Sequence, residues 1–327
     1  MRFCSNIDVE NRFFLAPMAG VTDAAFRTVC ESLGASLTYT EMVSAKALTY
    51  RDEKSSSMLI LPEGRKPCFA QIFGSEPDVM AEGARYALEV SGAEGIDINM
   101  GCPVSKIVGN CEGSALMKAP DRAEAIIKAV IRAVDVPVTV KFRKGYESGS
   151  FTCIEFAKMA EQAGVSAMCI HGRTRAQMYS GLSDREAIAG VKSAVSVPVI
   201  ASGDALTARD CLDILDETGA DFVMIARGAQ GNPFIFDDCV RMDNGLAPNE
   251  RSLEQVLEII ERHARMLCLQ KGEKKAMLEF RKHGLWYLGR LCRVKPFKLK
   301  MSGLSSMDQL LEICGEMKAV RPDVKEG

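Results

Sequence analysis

From the start of the chain to about residue 240, one phrase recurs: a short apolar run rich in Val, Ile or Phe, a Gly-containing loop, then an amphipathic segment of helical spacing. The runs fall at 13–20, 37–41, 68–74, 95–100, 136–143, 167–171, 197–203 and 222–227. Helical patterns such as 77–90, 122–134, 151–163 and 207–217 separate them. Gly34-Ala35, Val136-Pro137, Val197-Pro198 and Gly219-Ala220 mark points where a helix ends and the next strand begins. Eight strand–helix units whose strands are apolar on both faces predict a (β/α)8 TIM barrel, with an open doubly wound sheet as the alternative. After Asn249 the strand signals stop, and 253–270, 274–290 and 306–319 read as helices. The expected division is therefore a barrel over residues 1–242 and a small C-terminal helical bundle over 243–327, joined through the Gly- and Pro-containing stretch 243–252.

The chain has 327 residues, 47% apolar and 26% charged, which suits a globular protein with a large core and excludes a disordered or fibrous one. No run approaches the roughly 18 apolar residues of a membrane span, and residues 1–12 carry no secretory core, so a cytoplasmic protein away from membranes is expected. The 12 cysteines include no C-x-x-C pair, which argues for reduced thiols and against a structural metal. Net charge is −2, yet residues 250–327 hold 16 Lys/Arg against 11 Asp/Glu, and 262–300 hold 12 basic residues against Glu273 and Glu279. A cationic stripe on an otherwise acidic chain is a candidate phosphate-binding surface.

In a barrel of this kind the reactive groups close the strands, so the tip residues carry the chemistry. They are Pro17, Met18 and Ala19; Glu41; Gln71; Asn99 with Gly101-Cys102-Pro103; Lys141 and Arg143; His171 and Arg173; Gly203 and Asp204; and Arg227-Gly228. Cys102, in a tight turn, either handles a proton or packs the turn. Lys141 lies in an apolar strand where its ammonium needs an anionic partner, either a reduced flavin or a neighbouring acid. Glycines after the seventh and eighth strands suggest a phosphate pocket. Neither G-x-G-x-x-G nor a P-loop occurs, so flavin mononucleotide (FMN) at the barrel mouth suits these residues better than a Rossmann-bound nicotinamide.

Six motifs then resemble the tRNA-dihydrouridine synthase family, in its bacterial branch: Ala16-Pro-Met-Ala-Gly-Val-Thr-Asp23, Gln71-Ile-Phe-Gly74, Asp97-Ile-Asn-Met-Gly-Cys-Pro103, Val140-Lys-Phe-Arg143, His171-Gly-Arg-Thr-Arg175 and Arg227-Gly-Ala-Gln-Gly-Asn-Pro233. Arg281-Lys-His283 with Trp286-Tyr287 resembles that family's RNA-binding helices. The resemblance implies reduction of the C5=C6 bond of selected uridines in tRNA, with bound FMN and NADPH as reductant. By position, Cys102 is implied as the acid that protonates C5. Pro17, Met18, Ala19, Gln71, Lys141, His171, Ser202, Gly203, Asp204, Ala226 and Arg227 are implied at the cofactor, with His171 also toward the uridine. Asn99, Arg143, Arg173, Lys282 and His283 are implied at the substrate.

Three departures from the family pattern stand out: Ser202 where Asn is usual, Ala226 in place of a Gly, and Asn110-Cys111-Glu112 where small residues are usual. Expected partners are tRNA, with no membrane and no metal, for a monomer. The competing readings are a small-molecule FMN oxidoreductase of dihydropyrimidine or enone type on the same barrel, and a noncatalytic RNA-binding protein on a decayed one.

Overall fold

The computed structural model describes residues 1–4, 6–149 and 152–325. Eight parallel strands form the barrel: β1 (Phe13–Leu15), β2 (Thr38–Tyr39), β3 (Cys68–Phe73), β4 (Gly95–Met100), β5 (Val138–Arg143), β6 (Ala167–His171), β7 (Val199–Ser202) and β8 (Phe222–Ile225). Each pairs with its neighbour in sequence, β8 pairs with β1, and a parallel bridge between Phe14 and Leu37 closes the ring. A short strand, Val43–Ser44, adds further pairing along β3. The expected (β/α)8 barrel is thus present, and the open sheet is excluded.

Proline explains why several strands are shorter than their apolar runs. It has no N–H to give to a ladder. β5 starts after Pro137 and β7 after Pro198, and β1 stops short of Pro17. Local chemistry also fixes the helix ends. Thr207 and Asp210 form a reciprocal cap at the start of helix Ala208–Thr218, and Gly219 ends it in the left-handed conformation at φ 65°. The expected helix 151–163 is observed as Cys153–Ala163; its expected first residue, Phe151, lies outside the described residues.

Along each strand, residues two apart share a face. The inward set near the strand starts is aromatic, and Phe3 fills its centre from an N-terminal ribbon of Arg2–Cys4 and Ile7–Asp8. The Phe3 ring centroid lies 5.1 Å from Phe14, 5.1 Å from Phe222 and 5.9 Å from Phe69. This plug seals one end, so the accessible interior lies at the opposite end, where the strands finish.

After the irregular stretch 244–252 come helices Leu253–Lys271, Glu273–Gly289, Lys295–Ser302 and Met307–Val320. Three were expected, and Lys295–Ser302 is the addition. Their apolar faces form a second core that also takes in Ala25 and Val29 of helix Ala24–Ser32 and Phe234, so the tail packs directly on the barrel's outer layer. No helix among the described residues is long and apolar enough to cross a membrane.

At this junction Phe26 meets two buried histidines, with ring centroids 5.3 Å from His263 and 5.4 Å from His283, and the histidine rings lie 4.7 Å apart. His263 Nδ1 bonds the Tyr287 hydroxyl at 3.2 Å, while His263 Nε2 and His283 Nδ1 are buried without partners. Burial lowers the pKa of His263 to about 4, opposed by Asp23 and assisted by Lys271. Burial likewise holds His283 well below its ordinary value, with His263, Lys282 and Lys271 adding to the effect. A folded-state value below the unfolded one means that the stability from neutral His263 is fully present above pH 6.5 and is lost as pH falls toward 4. From pH 7 to pH 5 the loss from this group is about 2 kcal/mol. Denaturant titrations followed by the single tryptophan, Trp286, whose ring centroid is 5.2 Å from His283, should record it. His263→Leu should flatten the decline, and equal pH dependence in both proteins would contradict this account.

Candidate active site

The strand ends enclose a cavity of about 440 Å³, within the range of cofactor sites. Of the residues expected at the cofactor, Pro17, Met18, Ala19, Lys141, His171, Ser202, Gly203, Asp204, Ala226 and Arg227 line it, joined by Cys102, Asn99 and Arg143. Gln71 does not; it is buried one layer below, where its amide meets Asp97 and Asn99. Arg173 is also outside the lining, with only 2% of its surface exposed.

Cys102 sits in the turn that follows β4. The Asn99 Oδ1 accepts from the backbone N–H of Cys102 at 2.9 Å and of Gly101 at 3.2 Å, which fixes the turn. Burial raises the Cys102 pKa, partly opposed by the Val104 backbone and the charge of Arg143, so the thiol holds its proton at neutral pH. It can therefore act as a proton donor. Cys111, farther along the same loop, is exposed and in a left-handed conformation at φ 59°.

Arg143 ties two loops together. Its Nε donates to the Gly101 carbonyl at 2.8 Å, and its Nη1 donates to the carbonyls of Thr174 and Met178, both at 2.9 Å. This grip holds the cysteine turn against the loop after β6 and brings Tyr179 to the cavity edge. Tyr179 is 56% exposed, and its ring stands 5.8 Å from the Arg143 guanidinium and 5.6 Å from that of Arg227. Sequence reasoning did not single out Tyr179; an aromatic residue in an Arg-rich loop after a barrel strand was the available signal.

Positive charge dominates the mouth. Lys141, Arg143, Arg173 and Arg227 surround His171, whose pKa burial pushes far down, with these four cations adding to the effect. The buried His171 Nε2 has no partner. Lys141 forms no ion pair among the described residues, and its charge acts on Asp97, across the β4–β5 pair. The main counter-charge is Asp204, whose two oxygens each accept from Arg173 Nη2 at 2.7 Å and one of which accepts from Arg227 at 3.1 Å. Asp204 has a positive φ of 56°, next to Gly203 at 116°. A side chain at Gly203 would collide with Ser183 and His171, and one at Gly228 with the Ala205 carbonyl. An unsatisfied imidazole nitrogen and an excess of cations fit a phosphate-bearing anion.

The tail residues behave differently from expectation. His283 is corrected: at 1% exposure it packs in the junction core and cannot touch a substrate. Lys282 donates to the Gly20 carbonyl, in the loop whose Met18 and Ala19 line the cavity. Lys271 bridges Asp23 at 2.8 Å and Glu279 at 2.7 Å. The stripe is therefore partly an internal clamp on the barrel. Arg265, Lys274, Lys275, Lys295 and Lys298 remain exposed and outside any ion pair among the described residues. Also among these residues, no group of three or more His, Cys, Asp or Glu could hold a metal ion.

The sequence model of one protein family, described as Dihydrouridine synthase (Dus), matches residues 14–321. The chain belongs to the dihydrouridine synthase family. It is an oxidoreductase, since dihydrouridine differs from uridine by two hydrogens across one double bond. tRNA-dihydrouridine synthase B of Pasteurella multocida (strain Pm70) is 41% identical over 319 residues, covering 96% of this chain and 95% of that one. Its counterpart in Vibrio vulnificus (strain CMCP6) is 40% identical over 308 residues, covering 94% and 95%. Among solved structures, histamine dehydrogenase from Rhizobium sp. 4-9 aligns with a TM-score of 0.56 at 13% identity, over 79% of this chain and 49% of that one. A variant of NCR from Zymomonas mobilis aligns at 0.51 and 16%, over 78% and 93%. At such identities these two speak for the fold alone.

Asp204 carries much of the balance in this synthase site. Asp204→Asn keeps the shape and tolerates the positive φ, but it leaves the buried Arg173 without its carboxylate. We expect it to destabilise the ligand-free protein by about 2–3 kcal/mol in urea unfolding. A change below about 0.5 kcal/mol would show that the Arg173 charge is balanced elsewhere.

Proposed function

We propose that this chain is a tRNA-dihydrouridine synthase that binds FMN at the barrel mouth, takes reducing equivalents from NADPH and reduces the C5=C6 bond of specific uridines in tRNA. The observation that carries the reading is the Cys102 side chain sharing one cavity with Lys141 and the unpartnered His171 Nε2. The residues that would hold the flavin are Pro17, Met18, Ala19, Lys141, His171, Ser202, Gly203, Asp204, Ala226 and Arg227. Gln71 would act from below. Bound there, a flavin supplies hydride.

The protein's own part is to hold the uracil and deliver the second hydrogen. Cys102 gives its proton to C5, because raising its pKa keeps that proton available until charge develops on the base. Asn99 and Arg143 face the uridine, while Arg173 holds Asp204 in place beside Arg227. A uracil in folded tRNA must leave its stack, at a cost of a few kcal/mol, so the enzyme needs grip elsewhere on the molecule. The exposed Arg265, Lys274, Lys275, Lys295 and Lys298 suit phosphate contacts, with Lys282 linking that surface to the cavity loop. We accordingly assign residues 1–242 to chemistry and 243–327 to tRNA binding, in a monomer acting in the cytoplasm.

The test separates the two half-reactions. Cys102→Ala should keep NADPH-driven flavin reduction within about twofold and lose dihydrouridine formation by roughly 100-fold or more. Unimpaired product formation would show that another group supplies the proton. A small-molecule reductase would leave tRNA unmodified even with Cys102 intact.

A further inference from the structure

We infer that Asp97 is a positioning residue for Cys102, acting through a one-way chain of hydrogen bonds that runs Asp97–Gln71–Asn99–Cys102. The Asp97 carboxylate is buried inside the barrel one layer below the cavity. Its Oδ1 accepts from Thr139 Oγ1 at 2.6 Å and its Oδ2 from Gln71 Nε2 at 2.7 Å. Gln71 Oε1 then accepts from Asn99 Nδ2 at 3.0 Å, and Asn99 Oδ1 accepts from the Cys102 N–H at 2.9 Å. The two ends are chemically opposite. An ionised carboxylate only accepts, and a backbone N–H only donates. Between them each amide has a single workable orientation, because turning either one sets donor against donor or acceptor against acceptor. The chain thus carries orientation from the barrel interior to the turn that presents the thiol. Burial lifts the Asp97 pKa to about 6, opposed by Thr139, Gln71 and the charge of Lys141, so at neutral pH the carboxylate is mainly the acceptor-only form that the chain requires.

Chain polarity makes a swap possible. Gln71→Glu alone sets two carboxylates against each other at the 97–71 contact. Adding Asp97→Asn restores the pattern, since the amide placed at position 97 donates to the carboxylate placed at position 71, whose other oxygen still accepts from Asn99. The inference rests on the reading of Cys102 as the proton donor, so one readout is independent of turnover: the iodoacetamide alkylation rate of the Cys102 peptide in the purified protein, measured by mass spectrometry. We expect Gln71→Glu to change that rate at least threefold and lower kcat about tenfold, with KM for tRNA within about twofold. The double variant should bring alkylation and kcat back to within about threefold of the native protein. Additive or worsened defects in the double variant would overturn the inference.

If Gln71→Glu does not fold, Asp97→Leu and Thr139→Val decide the matter. The first breaks the chain, and the second removes only the side bond to the same carboxylate. Altered Cys102 alkylation in Asp97→Leu alone supports the chain, and equal alteration in both, or none in either, overturns it. A native protein that forms no dihydrouridine would defeat the functional reading, while the alkylation comparison would still decide the chain.

Discussion

The site is organised around an electrostatic excess in a place with one way in. Four cationic side chains gather round a buried imidazole nitrogen that no protein group satisfies, and Asp204 neutralises only part of that charge. Leaving cations and a polar nitrogen poorly solvated is costly without an anionic partner. Phe3 closes the far end of the barrel, so that partner must arrive where the strands finish, beside Cys102. Fold and chemistry meet in that requirement.

Strand alternation builds the layers that meet it. Inward positions pass from the aromatic plug through the hydrogen-bonded set of Gln71, Asp97 and Thr139 to Asn99, Lys141 and His171 at the mouth. The plug fills the strand starts, the middle set is joined by hydrogen bonds, and the upper set lines the cavity. The tail belongs to the same system. Lys271 and Lys282 anchor it to Asp23 and Gly20, at the loop that forms one wall of the cavity. The tail helices are thereby tied mechanically to a loop that lines the cavity.

Much of this was legible in the sequence because parallel barrel strands end in residues that are neither apolar nor turn-forming by default. Lys141 in an apolar run, Asn99 before Gly-Cys-Pro and His171 after Ile170 all stand out for that reason, and the structure gathers them in one cavity. Other features depended on long-range packing. Nothing local marks Phe3 as a barrel plug, and nothing local shows that Gln71, expected at a strand tip, lies inside β3 and turns inward to Asp97. His283 departs from expectation although a signal existed: Ala276, Phe280, His283 and Tyr287 recur at three- and four-residue spacing, the apolar stripe of a buried helix face. The family resemblance implied a substrate contact there, and the periodicity points instead to a buried face. Likewise, charge counting could not tell the clamp residues Lys271 and Lys282 from the free Lys274 and Lys275.

The central claim is that the mouth is built for an anionic phosphate-bearing ring, and thermal melting of flavin-stripped protein with FMN or with riboflavin tests it most directly. The two ligands share a tricyclic ring and differ by one phosphate. The account predicts that FMN raises Tm by several degrees more than riboflavin at equal concentration, and that His171→Leu narrows the gap. Equal shifts from the two ligands, or no shift from FMN, would contradict it.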